Sequence, residues 1–131
     1  IWRRFPQVWG ERWHHGKHVI LGDAAHTAHF SIGSGTRLAM EDAIALERIL
    51  HESGDDLVKA LPAYDAVRRP IVEKIVHGAG ASAAWYEDFA AHMELAPRDF
   101  AMSYIQRSGR VDLERLRKIS PQFVARYEAR Q

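Results

Sequence analysis

The hydrophobic pattern of the chain changes once, from a short continuous apolar run to apolar residues at helical spacing. The run His18-Val19-Ile20-Leu21 lacks the alternation of a half-buried strand and stops at Gly22-Asp23. Such a run predicts a buried parallel strand. Residues 24 to 34 are rich in small residues, His and Gly, which predicts a loop. We therefore expect one buried strand followed by a loop.

A helix is expected to begin near Gly35 or Thr36 and to run to about Glu52. Gly54 should end it in the left-handed conformation, and Asp55 or Asp56 can cap the helix that follows. Helical spacing predicts the buried face of the helix that ends near Glu52. This face should contain Ala39, Ala43, Leu46, Ile49 and Leu50.

Further helices should occupy the rest of the chain. Pro62 is expected to interrupt or restart a helix, and Pro70 to kink or break a long helical stretch over residues 63 to 95. Residues 78 to 84 have almost no side-chain bulk, which predicts a close-packing surface. The starts of three more helices are indicated at Pro97, Asp112 and Ser120-Pro121.

Composition and charge narrow the class of protein. The 131 residues are 47% hydrophobic and 27% charged, with a net charge of +1, so nucleic acid and membrane surfaces are not expected partners. The absence of cysteine excludes disulfides and thiolate metal sites and fits a cytoplasmic protein. Several histidines lie near the start, but none forms a helical H-x-x-x-H pair with a carboxylate, so we expect no metal site.

The chemically informative stretch is Gly22-Asp23-Ala24-Ala25-His26, followed by Gly33-Ser34-Gly35 and Glu41-Asp42-Ala43. Asp23 is expected at the carboxyl end of a strand, where open α/β sheets bind ligands and where a carboxylate can accept bonds from polyol hydroxyls. Gly33 and Gly35 allow the backbone to approach a flat ligand. The N-terminus of the next helix favours negative charge on that ligand.

These residues, at these spacings, resemble the second FAD-binding motif of the group A flavoprotein monooxygenases. These are single-component aromatic hydroxylases built like p-hydroxybenzoate hydroxylase. The resemblance implies that Asp23, after Gly22, binds the ribityl chain of FAD. It also implies that the loop of Gly33 and Ser34, with the backbone amides of Gly35, Thr36 and Arg37, contacts the pyrimidine edge of the flavin.

The resemblance can be narrowed to one subfamily. The run from His26 to Ala43 is similar to the monooxygenase half of salicylyl-CoA 5-hydroxylase and 2-aminobenzoyl-CoA monooxygenase/reductase. Later segments fit the same subfamily: Arg68-Arg69-Pro70, Trp85-Tyr86-Glu87 and Arg107-Ser108-Gly109-Arg110. This implies hydroxylation of an aromatic acyl-CoA with NAD(P)H and O2.

Two departures from the family concern the substrate side of the flavin. Most members have Pro where this chain has His29-Phe30, and Asn where it has Arg37. They make a free phenol or benzoate less suitable than a CoA thioester. His29 and Phe30 are candidates for the substrate pocket, or pack within the loop. His26 is interpreted as a loop histidine bonded to backbone, and Asp42 as a structural residue that holds the N-terminal turns of the helix or pairs locally.

The fold is expected to be a mainly α fragment of an α/β FAD-binding fold of the glutathione-reductase and p-hydroxybenzoate-hydroxylase type. Residues 1–54 would be the C-terminal portion of the FAD-binding domain, and residues 55–131 a helical C-terminal region. No Gly-x-Gly-x-x-Gly segment is present for the FAD pyrophosphate. We therefore expect the chain to need the N-terminal part of the same protein, and the isolated piece to be inactive.

Three alternatives stay open at this stage. A non-catalytic helical interaction module or a pseudoenzyme fragment would have no need of the Gly22-Asp23 and Gly33/Gly35 set. Another FAD oxidoreductase, such as a halogenase, would share the cofactor but need a lysine near the flavin. A homodimer is compatible with the sequence, and no single catalytic residue is indicated.

Overall fold

The computed structural model describes residues 4–129, which form a short two-stranded sheet followed by helices. The strands are β1 (His14–His15) and β2 (His18–Val19), and 3-10 turns occupy Gly22–Ala24 and Phe30–Ile32. The α-helices are α1 (Gly35–Glu52), α2 (Leu57–Glu87), α3 (Phe89–Met93), α4 (Pro97–Gln106), α5 (Leu113–Ile119) and α6 (Pro121–Glu128).

The described residues divide into two compact units, one ending at Ala79 and the other beginning at Gly80. This division lies within α2 and does not coincide with the domain boundary expected after Gly54. The first unit extends beyond residue 54 because the first part of α2 shares a hydrophobic core with α1. The buried members of that core are Trp13, Ala25, Leu38, Ala45, Ile49, Ala60, Tyr64, Val72 and Val76.

The expected buried parallel strand over His18–Leu21 is wrong. Strand β2 has two residues and pairs antiparallel with β1, with His15 opposite His18, which is exposed. Gly16 in the connecting turn has φ +55°, a conformation that favours glycine. Gly followed by one residue between two extended segments is a hairpin signal, and the apolar run obscured it.

The bounds of α1 agree with the prediction, and its buried face agrees in part: Ile49 is buried, and Ala39, Leu46 and Leu50 are partly buried. Gly54 follows the helix with φ +62°, as expected for its left-handed cap. The buried residues of the helix are Leu38, Asp42, Ala45 and Ile49, whereas Ala43 is exposed. Apolar residues occur on both sides of this helix, so hydrophobic spacing alone does not decide which side faces the core. The side that carries the buried carboxylate of Asp42 faces the core, which hydrophobic spacing cannot predict.

Helix α2 is unbroken at Pro62 and Pro70, which corrects the expected interruption. It begins after Asp56, whose Oδ1 accepts a hydrogen bond from the Val58 amide at 3.0 Å. A proline inside a helix costs about 3 kcal/mol. Buried residues before and after Pro70 belong to one core, and their packing offsets that cost: Ala60, Tyr64, Val72 and Val76.

Arg69 ties α2 to the N-terminal segment of the first unit. Its guanidinium forms two bonds with the Asp65 carboxylate, at 2.6 and 3.3 Å, and one with the Gly10 carbonyl at 3.1 Å. It also lies over the rings of Trp9 and Trp13, at 5.8 and 5.1 Å from their centroids. A planar cation suits such a site because it can stack and form directed bonds together.

The second unit contains the end of α2 and helices α3 to α6. Trp85 stacks on His92 and donates a hydrogen bond to Ser103 Oγ at 2.7 Å. Helix α4 begins at Pro97 as predicted, and the predicted cap Asp112 accepts a bond from the Arg115 amide at 2.7 Å.

The low-bulk segment over residues 78 to 84 is buried only in part: Gly78, Ala79 and Ser82 are buried, whereas Ala81 is exposed.

Candidate functional site

The Gly22–Asp23 turn presents an exposed carboxylate. The Gly22 amide donates to Asp42 Oδ2 at 3.1 Å, and the Gly22 carbonyl accepts from the amides of Ala25 and His26, each at 2.9 Å. These bonds fix the backbone on both sides of the Gly22 α-carbon. The next side chain, Asp23, is exposed and has no hydrogen-bond or ion-pair partner among residues 4–129. Its oxygens are therefore accessible to a ligand.

Glycine is required at residue 22 for two reasons. Its φ of +56° lies in the left-handed region. A Cβ there would lie 3.0 Å from the Cβ of Ala39 on α1, which is tighter than most packed Cβ contacts and would require the turn or the helix to shift. The turn is thus held directly against the second turn of α1.

The loop before α1 ends at a helix N-terminus without a side-chain cap. Ser34 is buried in the N-cap position, but its hydroxyl donates to the Ile32 carbonyl at 3.3 Å and makes no capping bond. The amides of Gly35, Thr36 and Arg37 have no acceptor within the part of the chain that the structure describes. Three N–H groups and the positive end of the helix dipole are therefore available to an electron-rich ligand.

Glycines leave space beside these amides. A Cβ built at Gly33 or Gly35 would meet no atom within 4 Å. The positive φ of the loop, +59°, is at Gly33 and not at Gly35. The Arg37 side chain pairs with Glu41 at 3.5 Å on the helix surface, so only its backbone belongs to this group of donors. The loop can accept a flat ligand edge that carries acceptors or negative charge.

His29 and Phe30 pack on each other within the loop and are also exposed. Their rings stack with centroids 4.3 Å apart, and Phe30 is 74% exposed. The His29 Nδ1 atom accepts a bond from the Ser31 amide at 3.2 Å, which fixes the ring in the turn. Both predictions for this pair, packing within the loop and a place in the substrate pocket, are therefore compatible with the structure.

A buried ionic network lies behind the two loops. Asp42, which is 0% exposed, accepts from His26 Nε2 at 2.6 Å through Oδ2 and from Arg68 Nε at 2.9 Å through Oδ1. Arg68 also bonds Glu41 through Nη2 at 3.2 Å. Two interpretations are corrected here: the His26 side chain bonds a carboxylate rather than backbone, and Asp42 pairs with residues distant in sequence rather than locally.

The Asp42 carboxylate is held in its ionised form. Burial alone would raise its pKa, but hydrogen bonds from His26, Arg68 and the Gly22 amide outweigh that effect and leave the pKa below its ordinary value of 3.8. Burial also raises the pKa of the nearby Tyr64 hydroxyl, and the negative charge of Asp42 adds to this. The centre of the first unit therefore contains a fixed negative charge balanced by surrounding donors.

Sequence reasoning did not predict the role of Arg68. Two features of the sequence point to a buried ion pair. Asp42 lies one helical turn after Leu38, on the buried side of α1, and α2 contains an arginine, Arg68. Neither signal identifies its partner, because the two residues are 26 positions apart. Only the packing of α2 on α1 brings them together.

The described residues contain neither a metal-binding group nor a membrane-spanning helix. Among residues 4–129 there is no group of three or more His, Asp or Glu side chains that could hold a metal ion. No helix in the same part of the chain combines the length and the apolar character needed to span a membrane.

Comparison with known proteins decides the family. A family model described as "FAD binding domain" matches residues 5–79, which is more than half of the chain and almost all of the first unit. The chain belongs to this FAD-binding family. The expected resemblance is confirmed at this level, and the small sheet and the helices agree with a mainly helical piece of such a domain.

Curated relatives extend the likeness into the second unit. The chain is 46% identical over 109 residues, or 82% of its length, to a salicyloyl-CoA 5-hydroxylase of Streptomyces sp. It is 48% identical over 65% of its length to a 3-hydroxy-4-methyl-anthranilyl-[aryl-carrier protein] 5-monooxygenase of Streptosporangium sibiricum. It is also 35% identical over 81% of its length to a protodeoxyviolaceinate monooxygenase of Chromobacterium violaceum. The matched regions span 21%, 24% and 28% of these relatives.

The close approach of Gly22 to α1 gives a first prediction. Gly22→Ala should lower the free energy of unfolding by about 1–3 kcal/mol more than Gly33→Ala does. Both residues have positive φ, but only Gly22 would place a methyl group against Ala39. Denaturant unfolding of the flavin-free variants measures the difference. Equal losses would show that the turn does not pack on the helix as described.

A second prediction follows from the lowered pKa of Asp42. Asp42→Asn should lower the free energy of unfolding by about 3–5 kcal/mol at pH 7, because the Arg68 guanidinium loses its buried counter-charge and His26 loses a charged acceptor. A carboxyl whose folded pKa is depressed stabilises the fold above its unfolded pKa, and this contribution is lost as pH falls through the folded pKa.

The difference between wild type and Asp42→Asn should therefore be constant above about pH 5 and shrink below pH 3.8, the ordinary value for the group. Urea unfolding at a series of pH values measures this difference. A difference that stays unchanged between pH 6 and pH 3 would contradict a lowered pKa of Asp42 in the folded state.

Proposed function

We propose that the parent protein, a longer chain containing these 131 residues, is an FAD-dependent monooxygenase. It hydroxylates an aromatic acyl-CoA with NAD(P)H and O2. The observation that carries this proposal is the presence of an exposed Asp23 carboxylate and of three amides at the N-terminus of α1, all without hydrogen-bond partners among residues 4–129. Asp42, which lies in α1, accepts a hydrogen bond from the Gly22 amide, next to Asp23. The chain that contains these groups belongs to the FAD-binding family.

The residues fit FAD by the chemistry of their exposed groups. Asp23 offers two acceptor oxygens for the ribityl hydroxyls. The amides of Gly35, Thr36 and Arg37 offer donors for the pyrimidine edge, and the helix dipole stabilises negative charge there. The space beside Gly33 and Gly35 admits a flat ring. Bound FAD would supply the activation of O2 with electrons taken from NAD(P)H.

The remaining part of the cofactor site is assigned to the N-terminal part of the parent protein. The chain contains no Gly-x-Gly-x-x-Gly turn for the pyrophosphate. Within this proposal, residues 1–54 supply the cofactor contacts of an FAD-binding domain of the glutathione-reductase type. Residues 55–131 form the helical C-terminal region, whose first part, up to Ala79, packs in one unit with the residues before it. The isolated chain should then bind FAD weakly and have no monooxygenase activity.

The names of two relatives support a thioester substrate, and the structure offers two side chains for its pocket. The two relatives at 46% and 48% identity are named for a salicyloyl-CoA and for an anthranilyl group on an aryl-carrier protein, so each name describes an aromatic acyl group joined to a carrier. In this chain the exposed His29-Phe30 stack lies in the loop that precedes the flavin-facing amides. We place these two side chains on the substrate side of the flavin.

Removing the Asp23 carboxylate tests the cofactor assignment. Asp23→Ala in the parent protein should weaken FAD binding by about 10- to 150-fold, since bonds from a charged acceptor to hydroxyls contribute about 1.5–3 kcal/mol. Titration of the flavin-free protein with FAD measures this. The matched control is Glu47→Ala, which removes an exposed carboxylate from α1 away from the loop and should leave the dissociation constant unchanged. An unchanged constant for Asp23→Ala would refute the assignment.

The substrate class is tested by comparing matched compounds. Benzoyl-CoA derivatives carrying a hydroxyl or amino group should stimulate NAD(P)H oxidation and yield a hydroxylated product. The corresponding free acids should give kcat/KM values at least about 100-fold lower, since they lack the binding energy of the carrier group. Product analysis by mass spectrometry separates hydroxylation from uncoupled NAD(P)H oxidation. Equal values for acids and thioesters would contradict the thioester proposal.

A further inference from the structure

We propose that Asp42, which lies too deep to touch the cofactor, is a positioning residue for FAD. This inference rests on the proposed function, because it concerns how the two halves of that cofactor site are held together. The buried carboxylate connects the turn that carries Asp23 to the helix whose first amides face the flavin. Arg68 and His26 hold the carboxylate in the orientation that this connection needs.

The first connection is to the turn. Asp42 Oδ2 accepts a bond from the Gly22 amide at 3.1 Å, and Asp23 is the next residue. The Gly22 carbonyl is engaged by the amides of Ala25 and His26, so the turn has bonds on both sides. A change in the Asp42 carboxylate therefore acts on the backbone that directs the Asp23 side chain.

The second connection is through the helix itself. Asp42 lies seven residues after Gly35 in α1, and a helix rises about 1.5 Å per residue, so the separation along the axis is about 10 Å. The helix is rigid over two turns. The bond from Asp42 to Gly22 thus sets the separation between the Asp23 carboxylate and the amides of Gly35 to Arg37.

Two side chains fix the orientation of the Asp42 carboxylate. Its Oδ1 atom is held by Arg68 from α2, and its Oδ2 atom by His26 from the loop. Asp42, His26 and Arg68 are all at least nine-tenths buried, so water cannot readily replace any of these bonds. Rotation of the carboxylate away from Gly22 would break bonds to two charged or polar groups in a dry core, which is costly.

A double-mutant cycle on FAD affinity tests the inference in the parent protein. Asp42→Asn, Asp23→Ala and the double variant are stripped of flavin and titrated with FAD. Asp42→Asn should raise the FAD dissociation constant by about tenfold when Asp23 is present, and by less than about twofold in the Asp23→Ala background. A residue that acts only through general stability gives the same factor in both backgrounds.

Asp65→Asn is the matched control. It also replaces a carboxylate that pairs with an arginine in the first unit, at 2.6 Å from Arg69, but it has no bond to the Gly22 turn. It should lower thermal stability and leave the FAD dissociation constant within about twofold of wild type. A comparable loss of FAD affinity in this variant would assign the effect of Asp42 to stability and overturn the inference.

The failures of the two proposals are distinguishable. If Asp23→Ala alone leaves FAD binding unchanged, the proposed cofactor site is wrong. If Asp23→Ala weakens binding but Asp42→Asn has the same effect in both backgrounds, the site stands and the positioning role is wrong. Should Asp42→Asn not fold, Arg68→Lys takes its place in the cycle, because it keeps the buried charge but loses the directed Nε bond to Asp42.

Discussion

The structure of the first unit depends on one buried carboxylate. Asp42 is fully removed from solvent, and an ion in that position is stable only if donors surround it. The donors come from three places: the Gly22 amide, the His26 imidazole and the Arg68 guanidinium. The requirement to satisfy one charge therefore brings the Gly-Asp turn, the following loop and α2 to the same side of α1.

The candidate cofactor site is the outer surface of this arrangement. The polar groups of the Asp42 network face inward and are paired, whereas Asp23 and the first amides of α1 face outward without partners in residues 4–129. A preorganised set of one acceptor and several donors binds a ligand with less loss of conformational entropy than mobile groups would. This division of roles explains why a motif of about twenty residues combines exposed polar groups, small residues and one buried ionic pair.

Features set by local chemistry could be predicted from the sequence, and features set by packing could not. The bounds of α1, its Gly54 cap, the start of α4 at Pro97 and the Asp112 cap depend on nearby residues only. The burial of Asp42 on α1 and the exposure of Ala43 were not predicted, because burial of a charge depends on partners up to 26 residues away. Likewise Pro70 does not end α2, because core packing on both sides outweighs the local cost. The cofactor residues were suggested by resemblance, and their assignment stays a prediction.

The bond from Gly22 to Asp42 is open to direct measurement by amide hydrogen exchange in the flavin-free protein. We expect the Gly22 amide to be protected as strongly as the amides in the middle of α1, because it is buried and bonded to a carboxylate. The Thr36 amide, which has no acceptor among the described residues, should exchange like a solvated group. Rapid exchange at Gly22, at the rate of Thr36, would contradict the claim that Asp42 holds the turn against the helix.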